Sequence, residues 1–249
     1  MFSAVFFDLG GTLFSYRNMG KGSAPALMES AKRLGVEAAP KDIGLAYRDA
    51  NRSVSRRYGS LDYYLHRDLF RDVFAEFAAA LGVEYREEVF DWYAARQREA
   101  VLNYLELRDD CLATLAALRE QGLYLSIVSN IDDDHLDPLV AQSGLQDYLD
   151  HWTSSEEAQS CKPHERFFEV AREKAGVRAE EVLFVGDSPE HDVHGSKSVG
   201  MTAVLIQEEG MVAPLQSGRE QIHEPDHVIR SLSELTGIVL PPNETRHQS

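Results

Sequence analysis

Asp8 closes the short apolar run AVFFD, residues 4–8, and Gly10, Gly11 and Thr12 follow it at once. A second run, LYLSIVSN, closes on Ser129 and Asn130. A third, EVLFVGD, closes on Gly186 and Asp187, with Ser188 next and Asp192 five residues beyond Asp187. Lys162 precedes Pro163 at the head of the helical stretch HERFFEVAREKAGV. Carboxylate oxygens suit Mg²⁺, which prefers oxygen ligands and bridges to phosphate. Hydroxyls, backbone N–H groups and a lysine cradle phosphate oxygens. An aspartate beside them is also a nucleophile able to form an aspartyl-phosphate. If these residues meet, the set suits phosphoryl transfer. Each also has a plainer use: Asp8 in a turn, Ser129 or Asn130 capping the acidic helix start IDDDHLDP, Lys162 on the surface, Asp187 and Asp192 capping the next helix.

They meet only if their segments end at one rim, which an open parallel sheet provides at the carboxyl ends of its strands. The apolar runs at 4–8, 123–130, 181–187 and 202–206, with a weaker DHVIR near the end, read as buried strands. Between them lie helical patterns such as DDCLATLAALREQG, with Leu112, Leu115 and Leu118 on one side and a stop at Gly122. This alternation predicts a parallel sheet covered on both faces, an α/β Rossmann-like core. One interval departs from it. From Thr12 to about Leu105 no convincing strand is present, and four helical patterns run from APALMESAKRLG to EEVFDWYAARQREAVLNYL. An insertion of about 90 residues is too long for a loop and predicts a second, all-helical unit. The expected division is therefore 1–14 with 106–249 as the α/β core and 15–105 as the helical insertion. The terminal PPNETRHQS is expected to fray.

Composition narrows the function classes. The 249 residues hold 25 Lys+Arg against 41 Asp+Glu, a net charge of −16. So acidic a chain argues against nucleic-acid binding by phosphate neutralisation. No apolar run approaches the roughly 18 residues that span a bilayer, and the N-terminus does not read as a signal peptide. Cys111 and Cys161 form no metal or disulfide pattern, so a reducing, cytoplasmic setting is expected. Residues 15–105 hold 14 basic and 13 acidic side chains, while the remainder holds 11 and 28. The insertion is thus the least acidic part. Within it Arg48, Arg52 and Arg56 share a helix face, either as a solvated face or as a surface that draws in an anionic substrate.

FFDLGGTLF, VSN, CKP and VGDSPEHD, in that order, resemble the four motifs of the haloacid dehalogenase superfamily, and the insertion after the first resembles its C1 helical cap. The resemblance implies a hydrolase of small phosphorylated substrates in which Asp8 is the nucleophile and also binds Mg²⁺. It implies the backbone carbonyl of Gly10 and the carboxylate of Asp187 as further metal ligands, with Asp192 either joining the metal set through water or orienting Lys162. Ser129, with N–H groups near Gly11 and Asn130, would hold the transferring phosphoryl group. Lys162 would bridge that group and Asp8, and Thr12 would support the loop. His191 and His194 read as ordinary loop residues, and Arg17 and Lys21 as hinge or substrate contacts or, more simply, solvated loop residues. Oligomeric state and substrate are not legible.

One position departs from the phosphatase pattern. The family's phosphatases carry an acid–base Asp two residues after the nucleophile, and here Gly10 stands there. Losing such a group typically costs about 10²–10⁴ in rate. A phosphatase could draw its acid from a Tyr, His or Asp of the insertion, from metal-bound water, or from a good leaving group. A dehalogenase-like enzyme needs no such acid, but that branch uses no Mg²⁺ and has a different fourth motif. A phosphonate-cleaving relative needs a cap lysine, for which Lys21, Lys32 and Lys41 are the candidates. A metal- or phosphate-binding protein without turnover is the remaining reading. If the missing acid limits the rate, Gly10→Asp is expected to raise turnover.

Overall fold

The computed structural model describes residues 1–210 and 222–239, and the PPNETRHQS tail lies outside them. Strand β1 (Ala4–Phe7) is followed by a two-residue strand β2 (Phe14–Ser15), and four helices come next: α1 (Gly20–Arg33), α2 (Pro40–Tyr58), α3 (His66–Ala80) and α4 (Glu87–Tyr104). The chain returns through β3 (Glu106–Leu107), α5 (Cys111–Glu120), β4 (Tyr124–Ser129), α6 (Asp133–Ser143) and β5 (His151–Ser154). It ends with α7 (Ser155–Ala158), α8 (Glu165–Ala175), β6 (Val182–Gly186), α9 (Gly195–Ser198), β7 (Thr202–Ile206), β8 (His227–Ile229) and α10 (Leu235–Val239).

Six strands form one parallel sheet in the order β5-β4-β1-β6-β7-β8. β1 lies between β4 and β6, with Phe7 level with Ile127 on one side and Val185 on the other. Alternate residues of β1 face opposite layers. Val5 and Phe7 join a core with Leu115, Leu118 and Leu139 of α5 and α6, and Ala4 and Phe6 join one with Phe167 and Phe168 of α8. Phe6 and Phe7 are fully buried, and burying a side chain of that size contributes about 1.5–3 kcal/mol. With both faces covered, β1 reads as a continuous apolar run rather than an alternating one. Among the described residues no helix is long and apolar enough to cross a membrane.

The four helices between β2 and β3 carry their own core, built from Ala26, Leu27, Ile43, Phe74, Phe77, Phe90 and Tyr93 among others. Arg48, Arg52 and Arg56 lie along α2 away from that core, and Arg48 pairs with Asp49 at 3.3 Å.

Three local expectations are corrected. The interval after Thr12 does contain a strand: Phe14–Ser15 pairs antiparallel with Glu106–Leu107 where the helical segment leaves and rejoins the sheet. HWTS forms edge strand β5, which its polar composition concealed because His151 and Trp152 are only half-buried. Asp132, not Ser129 or Asn130, occupies the N-cap of α6.

Candidate active site

The strand order places the ends of β4, β1 and β6 side by side, so Ser129, Asp8 and Asp187 meet at one rim. Asp8 extends the ladder by donating its N–H to the Val185 carbonyl at 2.9 Å, and the chain then turns sharply. The N–H groups of Leu13 and Phe14 donate to the Leu9 carbonyl, both at 3.0 Å. The Arg108 guanidinium donates to the Thr12 and Gly11 carbonyls at 2.9 and 2.6 Å, which fixes the turn from outside. The Gly11 N–H donates to the Phe14 carbonyl at 2.7 Å. That corrects the expectation that it faces a phosphoryl group. Gly11 contributes room instead: it sits at φ +82°, and a Cβ there would lie 2.1 Å from Asp187 Oδ2.

Asp8 is 8% exposed and fully engaged. Its Oδ1 accepts from Ser129 Oγ at 3.0 Å and from Lys162 Nζ at 2.7 Å, while Oδ2 accepts from Thr12 Oγ1 at 3.4 Å. The Lys162 ammonium also donates to Asp192 Oδ1 at 2.7 Å, and Asp192 Oδ2 accepts the Ser188 N–H at 2.9 Å. Asn130 brackets the main chain of Lys162: its amide nitrogen donates to the Lys162 carbonyl at 3.0 Å, and its oxygen accepts the Lys162 N–H at 2.7 Å. The Asn130 side chain therefore positions the lysine. Burial alone would lower the Lys162 pKa, but Asp192 and Asp8 hold it above the usual lysine value.

Oxygens of Asp8, Asp187 and Asp192 lie within 4.8 Å of one another. Burial, then the charges of Asp8 and Asp192, push Asp187 up to about 8. Burial likewise pushes Asp192 up to about 6, against the Lys162 ammonium that favours its ionised form. Three carboxyl groups crowded around one ammonium resist ionising together, and a cation among them would relieve that. An all-oxygen donor set of this kind fits a hard divalent cation such as Mg²⁺. Thus Asp8, Ser129, Lys162, Asp187 and Asp192, far apart in sequence, share one cleft of about 90 Å³ with Gly10, Asn130, Ser188 and His191. Thr12 supports Asp8 from behind. Arg17 and Lys21 do not line the cleft, nor do Lys32 and Lys41.

Four features escaped the sequence reading. Tyr16, eight residues past Asp8, lines the cleft, and a Cβ on Gly10 would lie 2.1 Å from its hydroxyl oxygen. Burial, then Asp8, Asp187 and Asp192, raise this phenol well above its usual value, so it carries its proton. The only hint in the sequence is Gly10 itself, since a missing side chain leaves space for another. Second, Tyr64 and His66 bring the helical segment to the wall of the cleft that holds Asp8. His66 is 4% exposed, its Nδ1 stands 3.7 Å from Asp132 Oδ1, and neither ring nitrogen completes a hydrogen bond among the described residues. Third, His191 is a wall of the site rather than an ordinary loop residue, and burial followed by Lys162 pushes it down to about 4, which keeps it neutral. Fourth, Asp132 accepts the N–H groups of His66 and Arg67 at 2.8 and 2.9 Å, so a core carboxylate caps α3.

Glu208, after β7, ties the strand that precedes Tyr16. Its buried carboxylate accepts from Ser15 Oγ at 2.9 Å and from Arg17 at 2.7 Å, and pairs with Arg108 at 3.5 Å. Arg17 is thus tied to the segment after β7 and not to the cleft.

The comparisons agree with this geometry. The chain matches the haloacid dehalogenase-like hydrolase family over residues 2–200. It is 30% identical to the ribulose-1,5-bisphosphate 5-phosphatase of Halopiger xanaduensis, over 96% of this chain and 100% of that protein. The structure of a phosphatase of the same superfamily from Thermococcus onnurineus superposes with a TM-score of 0.66 at 26% identity, covering 95% of this chain and 97% of the other. The L-2-haloacid dehalogenase of Xanthobacter autotrophicus superposes at 0.69, also at 26% identity, covering 96% and 98%. Matched across both the sheet and the helical segment, this chain belongs to the haloacid dehalogenase-like hydrolase family.

Proposed function

We propose that the protein is a Mg²⁺-dependent phosphatase that hydrolyses small phosphate monoesters through an aspartyl-phosphate on Asp8. The observation that carries this reading is the Asp8 carboxylate shared by Ser129 and Lys162 and set beside Asp187 and Asp192. Asp8 attacks phosphorus, and Lys162 offsets charge where two anions approach. Ser129 turns its hydroxyl to the incoming phosphoryl oxygens once Asp8 is committed. The Asp8 and Asp187 carboxylates and the Gly10 carbonyl would hold the cation, with Asp192 keeping Lys162 in place. When bound, the cation neutralises charge shared by these carboxylates and the phosphoryl group. Helices α1–α4 act as the cap, with Tyr64 and His66 facing the part of the substrate that departs.

The size of the cleft and a full-length relative named for a sugar bisphosphate support a small phosphorylated metabolite as the substrate. The cluster of three carboxylates supports phosphate over halide chemistry. Lys21, Lys32 and Lys41 do not line the cleft, which supports a phosphate ester over a phosphonate as substrate. The test is phosphate release from a panel of monoesters with and without Mg²⁺, alongside Asp8→Asn. Metal-dependent release that vanishes in the variant is expected. Release equal to that of the variant on every ester, or halide release from haloacids, would overturn the assignment.

A further inference from the structure

An alkyl phosphate departs as a strongly basic alkoxide, so the phosphatase reading requires a proton at the leaving oxygen. Most polar hydrogens around Asp8 are already engaged. Those of Ser129 and Thr12 point to Asp8, and the Lys162 ammonium is held between Asp8 and Asp192. The Asn130 amide holds the Lys162 backbone, and His191 lies on the Lys162–Pro163 side of the cleft. Tyr16 differs. Like Tyr64 and His66 it lines the cleft without a hydrogen bond to another described side chain, but it is the Tyr16 hydroxyl that stands where a side chain on residue 10 would project.

We propose that Tyr16 is a catalytic residue whose hydroxyl donates first a hydrogen bond and then its proton to the leaving-group oxygen, in place of an acid at position 10. As the Asp8 oxygen bonds to phosphorus and the bond from phosphorus to the leaving oxygen breaks, that oxygen takes the Tyr16 proton and departs as the alcohol. A phenolate remains. Water then attacks the phosphorus of the aspartyl-phosphate and yields its proton to the phenolate, and the Asp8 carboxylate and inorganic phosphate separate. The sum is ester plus water to alcohol plus phosphate, with Asp8 and Tyr16 restored.

This inference rests on the phosphatase reading, and leaving-group dependence separates the two. Tyr16→Phe removes one oxygen and keeps the ring. It is expected to lower kcat/KM for alkyl phosphates by about 10²-fold or more, and for p-nitrophenyl phosphate, whose leaving group needs no proton, by less than about 3-fold. The retained p-nitrophenyl activity also reports that the variant is folded. Equal losses on both ester classes, or no loss on either, would overturn the role of Tyr16 and leave the phosphatase intact. A wild-type protein that releases no more phosphate than Asp8→Asn from either ester would overturn the phosphatase reading and this proposal with it.

Discussion

Restoring an acid at position 10 gives opposite expectations from sequence and from structure. By sequence, Gly10→Asp supplies a missing group and should raise turnover. In the structure, the new Cβ would lie 2.1 Å from the Tyr16 hydroxyl oxygen and 2.8 Å from the ring carbon that bears it. Ordinary contact begins near 3.4 Å, so one group must move by more than 1 Å. Ser15 and Arg17, on either side of Tyr16, are bound to Glu208, so the backbone there is held and the Tyr16 ring is the group that must turn away. Overpacking of this kind costs about 1–3 kcal/mol, which lowers Tm by roughly 2–12 °C in a chain of this size. Activity on an alkyl phosphate should fall with it, by up to about 10²-fold, because Tyr16 is displaced. Removing the obstruction should reverse the sign: Gly10→Asp combined with Tyr16→Ala is expected to exceed Tyr16→Ala alone on the same ester. The assay is steady-state phosphate release with a melting curve for each variant. Faster alkyl-ester turnover in Gly10→Asp with Tyr16 present and Tm unchanged would refute the steric argument.

Other perturbations probe separate parts of the site. Saturating Mg²⁺ should raise the melting temperature of the wild-type protein, worth about 2.7 kcal/mol at a hundredfold excess over Kd; Asp187→Asn should lose most of that shift in the same scan. Asp132→Ala removes the cap of α3 and should cost about 1–3 kcal/mol in urea denaturation near neutral pH. Burial would raise the Asp132 pKa, but the His66 ring and the amide donors of Arg67 and His66 outweigh it and hold the group below its ordinary 3.8. A depressed carboxylate contributes fully above its unfolded pKa, so the gap between wild type and variant should close only as pH falls below about 3.8. A gap that closes at pH about 6 would contradict this. His66→Ala should raise KM by roughly 5–30-fold with a smaller change in kcat, because a buried polar group facing the substrate contributes about 1–2 kcal/mol of binding.

The sheet and the primary cluster were legible because they rest on local signals. Short apolar runs bounded by glycine mark β1, β4, β6 and β7, and each of the first three delivers a polar residue at its carboxyl end. Two-residue strands have no period to detect, so β2 and β3 were invisible, and β5 was hidden by its polar edge composition. The same limit applies in the site. Asp8, Ser129, Lys162 and Asp187 follow strands or precede a helix, so topology alone gathers them. His66 reaches the cleft, and Asp132 reaches α3, through the way the helical segment lies over the rim, and Tyr16 through the turn of the chain after Asp8, and no pattern of residues within a segment encodes either. The Gly11 amide turns to the Phe14 carbonyl because that bond depends on the path of the loop, not on the glycine's identity.

The β2–β3 pair is the place where the chain enters and leaves the helical segment, and its two strands are bonded to each other. Two separate tethers would let the segment slide or twist over the rim. Strands joined edge to edge act as one axle, so motion of the helices becomes rotation about a single line. Displacement then grows with distance from that line. Tyr16, the residue next after β2, sits at that line, where a rotation would displace it least. Tyr64 and His66, at and just before the head of α3, belong to the swinging part. Any such swing would have to break the bonds from the His66 and Arg67 N–H groups to Asp132 and from Arg67 to Glu156, so these bonds, and not the strand pair, would latch the wall that Tyr64 and His66 make against the rim.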